Sequence, residues 1–190
     1  SWNLQGKRFL SSVRIDRWAL VALDRSRRPL NSIVMPFVNG FRAQGLDLDD
    51  RPLVVDGCSP ERFERDVLTR DVRPPQLVLI ILPTSDSMTY MEIKEICERN
   101  AVPSQCMLAK HVLDKEPQRS YIANIAMKVN VKIGGRNSSV KMKSTSLLQP
   151  PVYGGSVAIM ALDVHHPGVG THSEQSMATL VMSVDNDHTV

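Results

Sequence analysis

The sequence predicts an α/β fold, with a central, mostly parallel sheet of about four strands and helices on both faces. Three observations carry this prediction. Short apolar runs of strand length recur, above all Leu77-Val78-Leu79-Ile80-Ile81-Leu82. Between them lie segments whose apolar residues repeat every three and four positions, the spacing of one helix face. Strands that alternate with helices stack as parallel units.

Residues 1–16 mix Trp2, Arg8, Phe9 and Arg14 without a period and read as a connecting arm. Trp18 to Leu23 is the first buried strand. Ile33, Val34, Phe37, Val38 and Phe41 then share one helix face over 33–43. Pro36 falls near the first turn, where a missing N–H is tolerated, and Gly45 stops the helix. Leu53-Val54-Val55 is the second strand. Ser59 before Pro60 and Glu61 opens a second helix, with Ser59 as N-cap and Phe63, Val67 and Leu68 on the buried side. Gln76 to Leu82 is the clearest strand, apolar throughout, as expected where both sheet faces are covered.

The polar turn Pro83 to Met88 leads into a third helix whose inner stripe is Ile93, Ile96 and Cys97. Ser104 to Leu108 is the fourth strand. Ser120 to Ile133 is the fourth helix, with Ile122, Ile125, Ala126, Val129 and Ile133 on one face, and Gly134-Gly135 ends it. Residues 136–154 break the pattern with Asn137-Ser138-Ser139, Pro150-Pro151 and Gly154, and read as an interdomain linker. Ser156 to Leu162 is a further strand ending at Asp163, and 177–184 can pair with it as a hairpin. That pair reads as the start of a second domain. The arrangement as a whole is Rossmann-like.

Composition narrows the class. The 190 residues are 42% hydrophobic and 23% charged, figures of a globular chain. No apolar run reaches the roughly 18 residues of a membrane span, so no membrane partner is expected. The first residues lack the apolar segment of a signal peptide. Cys58, Cys97 and Cys106 form no CxxC pair, which argues against a disulfide framework or a cysteine zinc site. A reducing compartment, the cytoplasm, is the default.

Net charge is only +3, but it is unevenly spread. Pro117 to Leu162 holds no Asp or Glu, while it carries Arg119, Lys128, Lys132, Arg136, Lys141 and Lys143. From Asp163 onward the balance reverses, with Glu174, Asp185 and Asp187 and no Lys or Arg. The basic block fits an anionic ligand; it fits solvated surface as well.

No GxGxxG, GxxxxGK[ST] or GxSxG motif occurs, which excludes the common dinucleotide, P-loop and serine-hydrolase sites. A different set stands out. Open parallel sheets bind ligands beyond the carboxyl ends of their strands, where Pro83 to Tyr90 falls. Tyr90 and Lys94 share a helix face one turn apart, Gln105 lies on the next strand, and Asn124, Lys128 and Lys132 repeat every four residues along the last helix. Brought together, they would make a pocket of three amines, two amides and one ring. Such a pocket suits a terminal phosphate, with a base stacked on the ring. Alternatively, Lys128 and Lys132 serve only to complement a helix C-terminus.

These residues resemble the Mid domain of eukaryotic Argonaute proteins. The likeness runs through Leu77 to Pro83, Tyr90-x-x-x-Lys94, Ser104-Gln105-Cys106 and Asn124 to Gly135. It extends back to Trp18-Ala19-Leu20-Val21 and the Ser1-Trp2-Asn3 arm, and forward to Ile159 through Pro167, which resembles the opening strand of a Piwi domain. The resemblance implies a linker arm over 1–16, a Mid domain over 17–140, a linker over 141–154 and the truncated, RNase H-like start of a Piwi domain over 155–190. It further implies that Tyr90 stacks on the first base of a small guide RNA. Lys94, Gln105, Asn124, Lys128 and Lys132 would hold its 5′ end, and the loop Thr84, Ser85, Asp86, Ser87, Met88 and Thr89 would sense the first base. That loop differs from the animal pattern, so no preferred base follows. Lys132 stands where some prokaryotic relatives use a metal, which implies none at the phosphate.

Asp163 matches the first catalytic aspartate of the family's two-metal nuclease. Its partners would lie beyond Val190, so this chain is expected to be non-catalytic and without a cofactor. Mg2+ or Mn2+ would serve the full-length protein if it is a guide-directed endoribonuclease. His165 and His166 fall in the loop after that strand and are not expected to bind metal. Asp86 would repel a phosphate unless its carboxylate caps the following helix. The expected partners are the 5′ end of a guide RNA and the rest of the Piwi domain; no protein partner is identified. The competing class is an enzyme, either a metal-dependent RNase H-like nuclease or a phosphate-ester enzyme, using Asp163.

Overall fold

A computed structural model describes residues 6–26, 28–139, 159–166 and 176–183. The expected linker over 141–154, the first five residues and the acids Glu174, Asp185 and Asp187 lie outside that set. The chain divides into two compact units, Ser1–Asn137 and Ser138–Val190.

The first unit holds four parallel strands, β1 (Trp18–Ala22), β2 (Leu53–Asp56), β3 (Leu77–Leu82) and β4 (Ser104–Leu108), in the spatial order β2-β1-β3-β4. β1 and β3 are buried along their whole length, which accounts for their unbroken apolar sequence. Helices α1 (Asn31–Ala43) and α5 (Arg119–Lys132) pack on one face with the core of Leu20, Leu79, Phe37, Phe41 and Val129. Helices α2 (Pro60–Phe63) and α3 (Ser87–Arg99) cover the other, over Val21, Ile80, Phe63, Ile93 and Cys97.

Several local expectations shift. The first helix starts at Asn31, so Pro36 sits in its second turn rather than its first. Pro36 has no N–H to give the carbonyl of Ser32, so α1 forms with one bond fewer. Ser59 occupies the N-cap with extended backbone, yet its side chain makes no capping bond. Beyond Phe63 the helix widens into π-helical turns over Glu64–Leu68. A four-residue helix, α4 (Ala109–Val112), follows β4 and has no sequence signal of its own.

Residues of the arm are docked where described. Ser11 bridges Arg136, Ile15 bridges Leu48, and Ile15 is buried. Asn130 of α5 ties this segment down, its amide donating to Ser11 O and Asn137 Oδ1 at 3.0 Å each. Gly40 lets α1 and α5 approach closely, since a Cβ there would lie 2.4 Å from Ile122 Cγ2. Gly134, at φ +87°, closes the C-terminal end of α5 just past Lys132.

In the second unit, β5 (Met160–His165) pairs antiparallel with β6 (Met177–Met182). The expected hairpin forms, but Asp163 lies within β5, opposite Thr179, rather than at its end.

Candidate nucleic-acid interface

The candidate site forms where α3 and α5 meet the start of β4. Ser104 opens β4 and is buried, opposite Val78 of β3. Its hydroxyl accepts a hydrogen bond from Lys94 Nζ at 2.8 Å. Its carbonyl accepts one from Lys132 Nζ at 2.7 Å. The same ammonium donates to Gln105 Oε1 at 2.9 Å, while Gln105 Nε2 donates to the Cys106 carbonyl at 2.8 Å. Amines from two helices therefore lean on two adjacent residues of one strand.

Their closeness has an electrostatic signature. Partial burial lowers the Lys132 pKa first, and repulsion from Lys94 and then Lys128 lowers it further. Burial pushes the Cys106 thiol up to about 11, against the opposing pull of Lys94 and Lys132. Like charges held this near one another favour a bound anion. Lys128 is exposed one turn before Lys132, with no hydrogen-bond or ion-pair partner among the described residues. Asn124 is exposed one turn earlier in the same row. Tyr90 is 44% exposed, one turn before Lys94 on α3.

The loop ahead of α3 is built by Asp86. This residue is the N-cap, and its carboxylate accepts from the Thr89 N–H at 2.8 Å. Hydrogen bonds from Thr89 hold its carboxyl below the usual range. The carboxylate is thus committed to the helix. Thr84, Ser85, Ser87 and Met88 are exposed around it, and Thr89 is half-buried.

One geometric expectation fails. The amines do not gather beyond the carboxyl ends of the strands, because Ser104 and Gln105 are the first two residues of β4 and pair with Val78 and Leu79. They line the outer side of an edge strand instead. The crevice at the carboxyl ends does exist, as a cleft of about 180 Å3 between the loops after β1 and β3. Asp24, Arg25, Arg28, Pro83 and Asp114 are among its walls. Its walls carry charges of both signs, Asp24 and Asp114 beside Arg25 and Arg28. Arg28 also pairs with Glu116 at 2.5 Å, and the Asp56 carboxylate accepts from both the Ser26 N–H and its hydroxyl.

Sequence reasoning missed Ser104 as a site residue. The available signal was a polar residue opening the strand, directly before Gln105. Asp163 is exposed on β5, and His166 Nδ1 lies 2.9 Å from Ser176 Oγ. Among the described residues no group of three His, Cys, Asp or Glu could hold a metal ion. A two-metal centre needs several acidic or histidine ligands beside Asp163. No helix among the described residues is long and apolar enough to cross a membrane.

Fold and site together define a small parallel-sheet domain with a cationic edge, followed by an antiparallel strand pair. Comparison with known proteins gives this class a family. Residues 77–190 match the Piwi domain family. The argonaute protein of Schizosaccharomyces pombe is 35% identical over 97% of this chain, and argonaute 1B of Oryza sativa is 32% identical over 97%. The chain spans 23% and 17% of their lengths, about a fifth. Among solved structures, the MID-PIWI domains of Neurospora crassa QDE-2 superpose with a TM-score of 0.73 at 22% identity, covering 95% of this chain and 51% of theirs. Kluyveromyces polysporus Argonaute, solved with a guide RNA, gives 0.75 at 20% identity over 99% of this chain and 24% of its own. The MID domain of Arabidopsis thaliana AGO5 gives 0.57 at 25% identity, covering 70% and 99%. This chain belongs to the Argonaute family, with the Mid domain and the opening of the Piwi domain.

Proposed function

We propose that the chain anchors the 5′-phosphorylated end of a small guide RNA within an Argonaute protein of an RNA-silencing pathway. The observation that carries this reading is the meeting of Lys94 and Lys132 on Ser104 and Gln105, with Lys128 adjacent. Amines so placed complement a group carrying about −1.5 to −2 charges near neutral pH. Tyr90 stands exposed one turn from Lys94, where its ring offers a stacking surface to the first base. The loop from Thr84 to Thr89 sits beside that ring and would sense the base.

In this reading the chain itself does not cleave RNA, and the phosphate is held by amines rather than by a metal. Slicing with Mg2+ or Mn2+, if the full-length protein performs it, would draw on Asp163 together with residues outside this chain. Binding falls as salt rises, because lysines displace counterions from phosphate. The test compares 5′-phosphorylated with 5′-hydroxyl RNA on Lys94→Ala and Lys128→Ala. The phosphorylated strand should lose far more affinity than the other. Equal losses for both strands would count against the pocket.

A further inference from the structure

We propose that Ser104 is the positioning residue of the phosphate site, aiming two lysines from different helices at one point. The inference rests on the reading above and deepens it. An ammonium group has three N–H donors. Lys132 spends two of them, on the Ser104 carbonyl and on Gln105 Oε1. Lys94 spends one, on the Ser104 hydroxyl. Three N–H groups remain between the two lysines, and a phosphomonoester presents three terminal oxygens.

Lysine is otherwise a poor positioner, because its four-carbon stem carries about 2 kcal/mol of rotamer entropy. Ser104 removes much of that freedom before the anion arrives. It is itself fixed, being 2% exposed and held in register against Val78. Through its side chain it governs Lys94, and through its main chain Lys132. Only the first link can be cut by substitution. Gln105 completes the arrangement. Its Oε1 is committed to Lys132 and one Nε2 hydrogen to Cys106, so it orients Lys132 and keeps one donor for the ligand.

The test uses the ratio of affinities for 5′-phosphorylated and 5′-hydroxyl RNA. Damage to packing weakens both strands and leaves the ratio alone, whereas misaimed amines change it. S104A should lower the ratio roughly tenfold, the scale of one hydrogen bond to a charged group. S104T, which restores the hydroxyl, should keep the wild-type ratio. In a Lys94→Met background S104A should lower it no further. A wild-type ratio in S104A, an equal fall in S104T, or a full additional fall in the Lys94→Met background would each overturn the assignment. A ratio near one in the wild-type chain would instead overturn the phosphate reading itself, and the role of Ser104 with it.

Discussion

Two polar regions border the same four-stranded sheet. One fills the crevice beyond the carboxyl ends of β1 and β3, where open α/β sheets usually take their ligands. The other lines the outer side of edge strand β4, at its start. The first has the more familiar address, yet it sets acids beside its cations, Asp24 and Asp114 with Arg25 and Arg28. Arg28 pairs with Glu116, and Asp56 holds Ser26. The second has the less familiar address, yet among the described residues Lys94 and Lys132 donate to oxygens of neutral groups. Lys94 and Lys132 lean on a hydroxyl, a carbonyl and an amide, and they repel each other. Topology locates crevices; leftover charge decides which region receives an anion.

The strongest way to break the comparison is to remove an amine from β4's edge. Lys132→Ala should cost 5′-phosphorylated RNA about 1.5–3 kcal/mol, roughly ten- to a hundredfold in affinity, and 5′-hydroxyl RNA little. Fluorescence anisotropy at fixed salt measures both. Tyr90→Ala should cost about 1–3 kcal/mol on either strand, since stacking does not read the phosphate. An unchanged affinity would take Tyr90 out of the site.

A pH series sharpens the same contrast. Lys132 titrates below an ordinary lysine because burial and its neighbours disfavour its charge. Phosphate affinity should therefore be full at neutral pH and decline on the alkaline side earlier than for exposed lysines. The folded state, without ligand, carries the opposite sign. Between the lowered folded pKa and the higher unfolded one, the unfolded chain binds more protons, so stability rises with pH through that window. Alkaline melts and alkaline binding curves should thus move in opposite directions. At acid pH the cap matters instead. The depressed Asp86 carboxyl stabilises α3 above its unfolded pKa and loses that contribution as pH falls through the folded one. Asp86→Ala should lower the melting temperature by a few degrees. It should leave the preference for phosphate intact. The smallest effect belongs to the crevice. Arg28→Ala breaks a pair whose Glu116 side chain is 79% exposed, worth about 0–1 kcal/mol, and should not change RNA affinity.

The sheet was legible because its central strands are buried on both sides, which writes them as unbroken apolar runs at Trp18 and Leu77. The α3 start was legible in Asp86, a side chain that can cap. α4 escaped because four residues hold no period, and the π-helical turns over Glu64–Leu68 escaped because their apolar spacing resembles that of an α-helix. The amines were individually legible from Tyr90, Lys94 and the Asn124 row, with the family resemblance joining them. Their location was not, since the distance from Ser104 to the crevice depends on strand register. Ser104 itself was hidden for the same reason. Its role is visible only when two helices, α3 just before it and α5 well after it, place lysines against it.

The most direct test is a titration of the isotope-labelled chain with a nucleoside 5′-monophosphate, followed residue by residue by NMR. Shifts are expected at Ser104, Gln105, Lys128 and Lys132, extending to Tyr90, with Arg28 and Asp114 unmoved. Shifts centred on Asp24, Arg28 and Asp114, with β4 silent, would contradict it.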